Sequence, residues 1–274
     1  MKKKVIQFLI LGNIFAQAQT KMSATFQGSY DWGKKFALTN CQGTYLTELH
    51  WLPRVKTSFE LGFEYSQPQF RSYTLSSMEL DIFRKSINLL GIQYEKQNWE
   101  LSARIQPEWS SYNNSGMRWN QLLGGVAIKF KFLKSNQLQL GIQKSTLWGA
   151  AKWYPQIAWL GHQGHWKWEI GFPKTKLTFY DVINRWEIIA QQNGSRFKST
   201  KDDANGIIHG DYFSYSSTAV KGSFQHQFDR YFSVELHAGY LFSQTFSTWN
   251  ASSESTQLVK ENGLTTGVSI KFKY

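Results

Sequence analysis

The stretch "WELSARIQPEW", residues 99–109, changes from apolar to polar at each step. Successive side chains of a strand point to opposite faces, so this period predicts a strand with one apolar and one polar face. Two tryptophans delimit the apolar stripe. At ~3.3 Å per residue and a tilt of ~40°, their spacing is roughly 25 Å, the height of the lipid-facing band between the aromatic girdles of a transmembrane barrel. The apolar face holds Trp99, Leu101, Ala103, Ile105, Pro107 and Trp109.

A second stretch, "FSVELHAGYLF" at 232–242, repeats the arrangement. A soluble β-sandwich also alternates, but it has no reason to place aromatic residues at both ends of one stripe at membrane spacing. The pattern therefore favours a transmembrane barrel over a soluble β domain. We expect the membrane interface to be marked by the aromatic residues Trp99, Trp109, Phe232, Phe242, Phe272 and Tyr274.

The polar faces of these strands carry charges, which a wide barrel accommodates in a hydrated lumen. In "AIKFKF", residues 127–132, two lysines oppose apolar neighbours in the same way. The side chains expected to face the lumen are Glu100, Arg104, Glu108, Lys129, Lys131, Glu235 and His237.

Both ends of the chain carry targeting patterns. The first twenty residues, "MKKKVIQFLILGNIFAQAQT", combine three lysines, an apolar run and a small-x-small site, so we expect a Sec signal peptide over 1–18 with cleavage after Ala18. The last eight residues, "GVSIKFKY", alternate and finish on an aromatic ring. This ending resembles the C-terminal signal that the barrel insertion machinery of bacterial outer membranes reads. One barrel domain is expected over 19–274, located in the outer membrane.

Composition excludes several classes of protein. The single cysteine, Cys41, cannot form an internal disulfide. The formal net charge of +12 comes from dispersed lysines and arginines with no basic helix, so we expect no nucleic-acid partner. Outer-membrane lipid and lipopolysaccharide are the nearer anionic partners, and basic residues beyond the aromatic band, such as Arg118, Lys152 and Lys198, would meet them.

Fourteen segments alternate well enough to be strands, and an even number returns both ends to the same side of the membrane. The predicted fold is all-β, an antiparallel up-and-down transmembrane barrel of about 14 strands, or 12 if 166–181 holds less than two full strands. The longer links are expected at 33–42, 67–85, 110–119, 146–151, 194–213 and 244–261. The predicted strands are 22–32, 43–52, 56–66, 86–94, 99–109, 120–132, 137–145, 152–160, 166–172, 176–181, 185–193, 214–228, 232–243 and 262–274.

Residues 153–181, "WYPQIAWLGHQGHWKWEIGFPKTKLTFYD", hold a strand with an internal proline, a short turn and a second strand that ends in Phe-Pro. Together with the signal peptide and the terminal strand, this stretch resembles a family of uncharacterised Bacteroidota outer-membrane barrel proteins. The resemblance implies a fold and a location. It implies no catalytic or binding residue, because that family has no established activity.

Three groups of residues were weighed for chemistry. The turn histidines His162 and His165 lack further metal ligands nearby in sequence. The segment "KDDANGIIHGD", 201–211, gathers aspartates and a histidine but completes neither a protease site nor a calcium loop. His226 and His237, from adjacent strands, would need a serine partner to act on lipid. We therefore expect no enzyme, no catalytic or metal site and no cofactor.

Three functions remain open for such a barrel. The leading one is a porin-like channel or transporter for a small solute or lipid, since barrel diameter grows with strand number. The alternative is a non-conducting structural or surface-interaction barrel whose own side chains fill the lumen. A lipid-modifying outer-membrane enzyme is the minor alternative.

Overall fold

The computed structural model describes residues 19–34, 36–52, 54–70, 82–96, 98–112, 117–133, 135–198, 212–249 and 255–274. Within these ranges no helix is long and apolar enough to cross a membrane. The predicted signal peptide lies outside them. The strands are β1 (Gln19–Trp32), β2 (Phe36–Leu52), β3 (Val55–Phe70), β4 (Ile82–Lys96), β5 (Trp99–Tyr112), β6 (Arg118–Leu133), β7 (Asn136–Ser145), β8 (Lys152–Gln163), β9 (Trp166–Phe172), β10 (Lys174–Tyr180), β11 (Asn184–Lys198), β12 (Tyr212–Gln227), β13 (Phe232–Trp249) and β14 (Ser255–Lys273).

These strands form one closed antiparallel barrel in which each strand pairs with its neighbours in the chain and β14 pairs with β1. The predicted count of fourteen is confirmed. The twelve-strand alternative is wrong because Leu177 of β10 pairs with Trp168 of β9 on one side and with Ile188 of β11 on the other. Closure leaves no sheet edge at the ends of the strand order, as a barrel in hydrocarbon requires.

The two faces of the wall differ as the alternation predicts. On β13, Leu236 is 57% exposed and the next side chain, His237, is 8% exposed. On β5, Ile105 is exposed and Glu108 is almost fully buried. The apolar set therefore covers the outer face of the barrel, and the buried polar set lines its inner wall.

Several strands extend beyond the residues that alternate between apolar and polar. The links expected at 33–42 and 244–261 are wrong over most of their length, because β2 begins at Phe36, β13 continues to Trp249 and β14 begins at Ser255. Outward positions in these extensions include Thr39 and Cys41. Side chains beyond the lipid-facing band have no need to be apolar, so the alternation fades there although backbone pairing continues.

One side of the barrel is shorter than the rest. Strands β9 and β10 have seven residues each and meet at Pro173. As a result, β11 pairs with β10 only up to Gln191. Its free edge beyond that point is met by side chains: Thr146 Oγ1 donates to Gly194 O at 2.9 Å, and Asn120 Nδ2 donates to Arg196 O at 2.7 Å.

Candidate functional site: the inner wall

A row of ionic and amide contacts begins on β5. Glu100 is buried and accepts a hydrogen bond from Lys129 Nζ of β6 at 2.7 Å. Further along the same face, Arg104 donates to the Gln106 side-chain oxygen. Gln106 Nε2 in turn donates to Glu108 Oε1 at 2.9 Å. Charged and amide groups thus alternate along the inner face of one strand.

Lys131 and Glu108 also contact side chains of other strands. Lys131 forms an ion pair with Glu95 of β4. Glu108 accepts a second hydrogen bond, from Gln121 Nε2 of β6 at 2.7 Å. Because the partners come from neighbouring strands, these contacts tie β4, β5 and β6 together on the inner side.

A longer ionic network lies on the opposite part of the wall. Glu235 of β13 accepts from Arg185 Nη2 at 3.0 Å and from Lys271 Nζ at 2.5 Å. Arg185 Nε also lies 3.4 Å from Glu187 Oε1, and Lys176 Nζ lies 3.4 Å from the same oxygen. Five charged side chains on β10, β11, β13 and β14 therefore form one continuous chain. His237, two residues after Glu235, is buried and its Nε2 has no hydrogen-bond partner among the described residues.

The inner wall encloses two cavities. The first, the basic chamber, has a volume of about 420 Å³ and lies against β2, β3 and β5 to β8. Its amide groups include Gln139, Gln143 and Gln156, and Gln156 Nε2 donates to Gln143 Oε1 at 2.6 Å. Basic groups outnumber acidic ones here, since its charged lining residues are Lys56, Arg104, Lys129, Lys144 and Glu48.

The second cavity, the acidic chamber, has a volume of about 380 Å³ and lies between β1 to β3 and β11 to β13. Its charged lining residues are Asp31, Glu64 and Lys221. The Tyr215 hydroxyl donates to Asp31 Oδ2 at 3.2 Å, and Asn40 Nδ2 donates to Glu64 Oε1 at 3.0 Å. The two chambers therefore differ in the sign of the charge that each offers a solute.

Buried aromatic side chains narrow the lumen beside the acidic chamber. Phe213 and Phe246 lie with their rings stacked and their centroids 5.9 Å apart, and neither is appreciably exposed. Phe197 and Tyr215 are also buried on the same side of the barrel. We call these four residues the aromatic constriction.

The predicted interface aromatics of β5, β13 and β14 lie at outer-face positions, and Tyr274 directly follows β14. Trp109 packs edge-on against Trp119 with centroids 5.5 Å apart, and Trp99 contacts Tyr94 at 5.4 Å. Phe232 and Phe272 lie 5.3 Å apart. Their neighbours on the same face, Phe242 and Tyr274, are both exposed. The contact of these rings with the membrane interface stays a prediction.

Within the described ranges, the candidate histidines do not assemble into a chemical site. His162 and His165 are exposed, and His226 Nδ1 lies 2.9 Å from Asn184 Oδ1. No cluster of three or more metal-binding side chains occurs in the described part of the chain. The acidic segment 201–211 lies outside the described residues.

Sequence reasoning missed most partners of the charged residues. Arg185 and Glu187 were not singled out, although they occupy alternate positions of β11 and show the same period as Glu235 and His237. That period is a usable signal for the face of the strand. It carries no information about which charge on another strand will lie opposite.

Neither a protein-family model nor a curated relative matches this sequence. The ΔS2S3 mutant of TodX, a monoaromatic hydrocarbon channel, matches with a TM-score of 0.53 and 8% identity, over 95% of this chain and 91% of that one. An outer membrane channel from Pseudomonas putida F1 matches with a TM-score of 0.48 and 9% identity, over 94% and 95% of the two chains. A Pseudomonas aeruginosa FadL homologue matches with a TM-score of 0.47 and 7% identity, over 93% and 89%. At 8% identity the likeness to TodX is one of fold alone, that of a closed β-barrel.

Proposed function

We propose that this chain is a porin-like channel of the bacterial outer membrane that passes a small polar solute. The observation that carries the proposal is the difference in polarity between the outer and inner faces of the barrel wall. The outer face is apolar and exposed at positions such as Ile105 and Leu236, whereas the inner face encloses two chambers with charged linings, which include Lys56 and Arg104 in one and Asp31 and Glu64 in the other. An apolar outside with a hydrated, charged inside is the arrangement of a barrel that lets water and solutes through a bilayer.

The proposed location and export follow from the sequence patterns at the two ends of the chain. The chain is exported by the Sec pathway, cleaved after Ala18 and inserted by the machinery that reads the terminal strand. Backbone pairing at Tyr274 supports only the last of these steps, since Tyr274 N donates to Met22 O at 2.9 Å and Tyr274 therefore lies in the barrel wall beside β1. Lipid of the outer membrane is then the partner of the exposed apolar face.

The solute passed by this channel is small and polar. The chambers of about 420 Å³ and 380 Å³ are at the small end of ligand-sized cavities, and amides and charges line both. The aromatic constriction narrows one side further, because Phe213 and Phe246 occupy space that an open pore of fourteen strands would leave to water.

The same constriction favours a second candidate function, a non-conducting barrel closed by its own side chains. One experiment separates the two. Purified protein, shown to be folded by its shift on a heat-modifiability gel, is added to planar bilayers in potassium chloride. Discrete conductance steps support the channel. Folded and inserted protein that gives no steps would support the closed barrel and contradict the channel.

A further inference from the structure

The outer wall contains a depression that the channel does not use. Gly222 of β12 lies opposite Ala238 of β13, and Ala238 lies opposite Thr266 of β14. These three small residues stand side by side in one row across the wall. The rows on either side of them are bulky and consist of Val220, Tyr240 and Leu264 on one side and Phe224, Leu236 and Val268 on the other.

The depression is open space. A Cβ atom added to Gly222 would meet nothing closer than the Ala238 carbonyl oxygen, at 4.0 Å. The cavity above this row has a volume of about 650 Å³ and is lined mostly by apolar atoms, including those of Trp186 and Ile188. Ile188 is 61% exposed, so the wall of the cavity is an outward-facing surface.

A trough leads from this depression toward the rim of the barrel. A second outward cavity, of about 520 Å³, shares Trp166, Leu177 and Phe179 with the first. It reaches Gln163 and His165, which lie at the turn between β8 and β9. The trough is therefore apolar along its length and polar at one end.

The depth that the trough spans along the membrane normal corresponds to one leaflet of a bilayer. Gly222 lies six residues from Phe228, which begins the turn between β12 and β13. At ~3.3 Å per residue and a tilt of ~40°, this is about 15 Å along the membrane normal. The hydrocarbon core of a bilayer is ~30 Å thick, so the trough spans about half of it.

We propose that this trough binds one acyl chain of a glycerophospholipid, with the chain end over Gly222 and the headgroup beside Gln163 and His165. An acyl chain is apolar throughout and polar at one end, which matches the trough in chemistry and in length. The turns at this rim are the short ones, so the lipid belongs to the periplasmic leaflet. This site rests on the proposed membrane location and is independent of conduction through the lumen.

Native mass spectrometry of the detergent-solubilised barrel tests this site. The protein is reconstituted with phosphatidylethanolamine and phosphatidylglycerol vesicles, extracted, and washed with excess detergent. The wild type should retain one phospholipid per barrel. Gly222→Leu, which fills the depression, should lower the lipid-bound fraction at least ten-fold. Gly28→Leu is the matched control, because Gly28 is also an outward glycine with nothing within 4 Å of an added Cβ, and it lies outside the cavity lining.

Each outcome decides the proposal. Retention by Gly222→Leu equal to that of the wild type, or an equal loss in Gly28→Leu, would overturn it, as would a wild type that retains only detergent or free fatty acid. The heat-modifiability gel verifies folding of each variant, and Ala238→Leu replaces Gly222→Leu if the latter fails to fold. Conductance of the wild type is measured on the same preparation. Lipid retention without conductance would contradict the channel alone, and conductance without retention would contradict the lipid site alone.

Discussion

The Lys271 ammonium lies 2.5 Å from the Glu235 carboxylate, and this ion pair joins β14 to β13 on the inner wall. Arg185 of β11 reaches the same carboxylate oxygen at 3.0 Å. One acidic side chain thus links three strands next to the place where the barrel closes. Glu235 is largely buried, so its charge depends on these two partners more than a solvated surface charge would.

Lys271→Met tests this link. The substitution leaves Glu235 with Arg185 alone, and we expect the free energy of unfolding to fall by about 1–2 kcal/mol, between the values for exposed and buried pairs. Urea titration of the barrel in phospholipid vesicles measures the change. Lys273→Met is the control: Lys273 is exposed two residues further on, and its loss should change stability by less than about 0.5 kcal/mol. Equal effects of the two substitutions would argue against a structural ion pair.

Ala103→Arg tests which face of β5 contacts lipid. Ala103 lies on the outer face opposite Val126, which is 49% exposed. A charge near the bilayer midplane should cost roughly 2–4 kcal/mol of folding free energy, whereas Gln139→Arg in the basic chamber should cost less than about 1 kcal/mol. Folding titrations into vesicles compare the two variants. Similar penalties would mean that the lipid-facing side has been assigned wrongly.

The fold was predictable from sequence because the outer wall must be apolar wherever it meets hydrocarbon. Within that band, apolar and polar side chains alternate with a period of two, as in β5 and β13. This alternation identified all fourteen strands. Beyond the band the constraint disappears. The start of β2 at Phe36 and the extension of β13 to Trp249 were missed for this reason, since only backbone pairing defines them.

The candidate site was predictable only as one face of each strand. Alternation identified Glu100 and Lys129 as inward residues, but their contact depends on the register between β5 and β6. Arg185 and Glu235 are fifty positions apart in sequence, and nothing local to either residue indicates their contact. The outer depression likewise arises from the alignment of Gly222 with residues of two other strands.

Thr146→Val tests how the free edge of β11 is held. The Thr146 hydroxyl donates to Gly194 O, and the substitution removes this bond with little change of shape. We expect a loss of about 1 kcal/mol and faster amide hydrogen exchange over residues 192–198. Mass-spectrometric exchange measures the rate. Thr245→Val serves as the control because the Thr245 hydroxyl donates to Ser243 O in an exposed bond on β13, away from residues 192–198. Unchanged exchange at 192–198 in Thr146→Val would show that the edge is held by other contacts.

Lys56→Glu tests the electrostatics of the basic chamber. Lys56 lines this chamber with Arg104 and Lys129, so reversing its charge makes the local potential more negative and favours cations. In a potassium chloride gradient the reversal potential should move toward the cation-selective direction. Lys96→Glu, an exposed position at the end of β4, should leave it nearly unchanged. A shift of the same size in both variants would place the selectivity outside the basic chamber.

Deletion of residues 272–274 tests the closing strand. Phe272 pairs with Phe232 of β13, Lys273 N donates to Tyr231 O at 2.8 Å, and Tyr274 N donates to Met22 O at 2.9 Å, so the deletion removes backbone partners on both sides of β14. The loss of these pairs opens the seam between β1 and β13 from its interface end, and the aromatic end is lost with it, so the truncated chain should fail to accumulate as a folded barrel. A heat-modifiability gel of outer-membrane fractions measures the folded amount.

The double substitution of Phe272 and Tyr274 by alanine keeps the backbone pairing and removes only the rings, so it separates closure from recognition of the aromatic end. A truncated chain that shows the wild-type shift at wild-type abundance would refute the closing role of these residues.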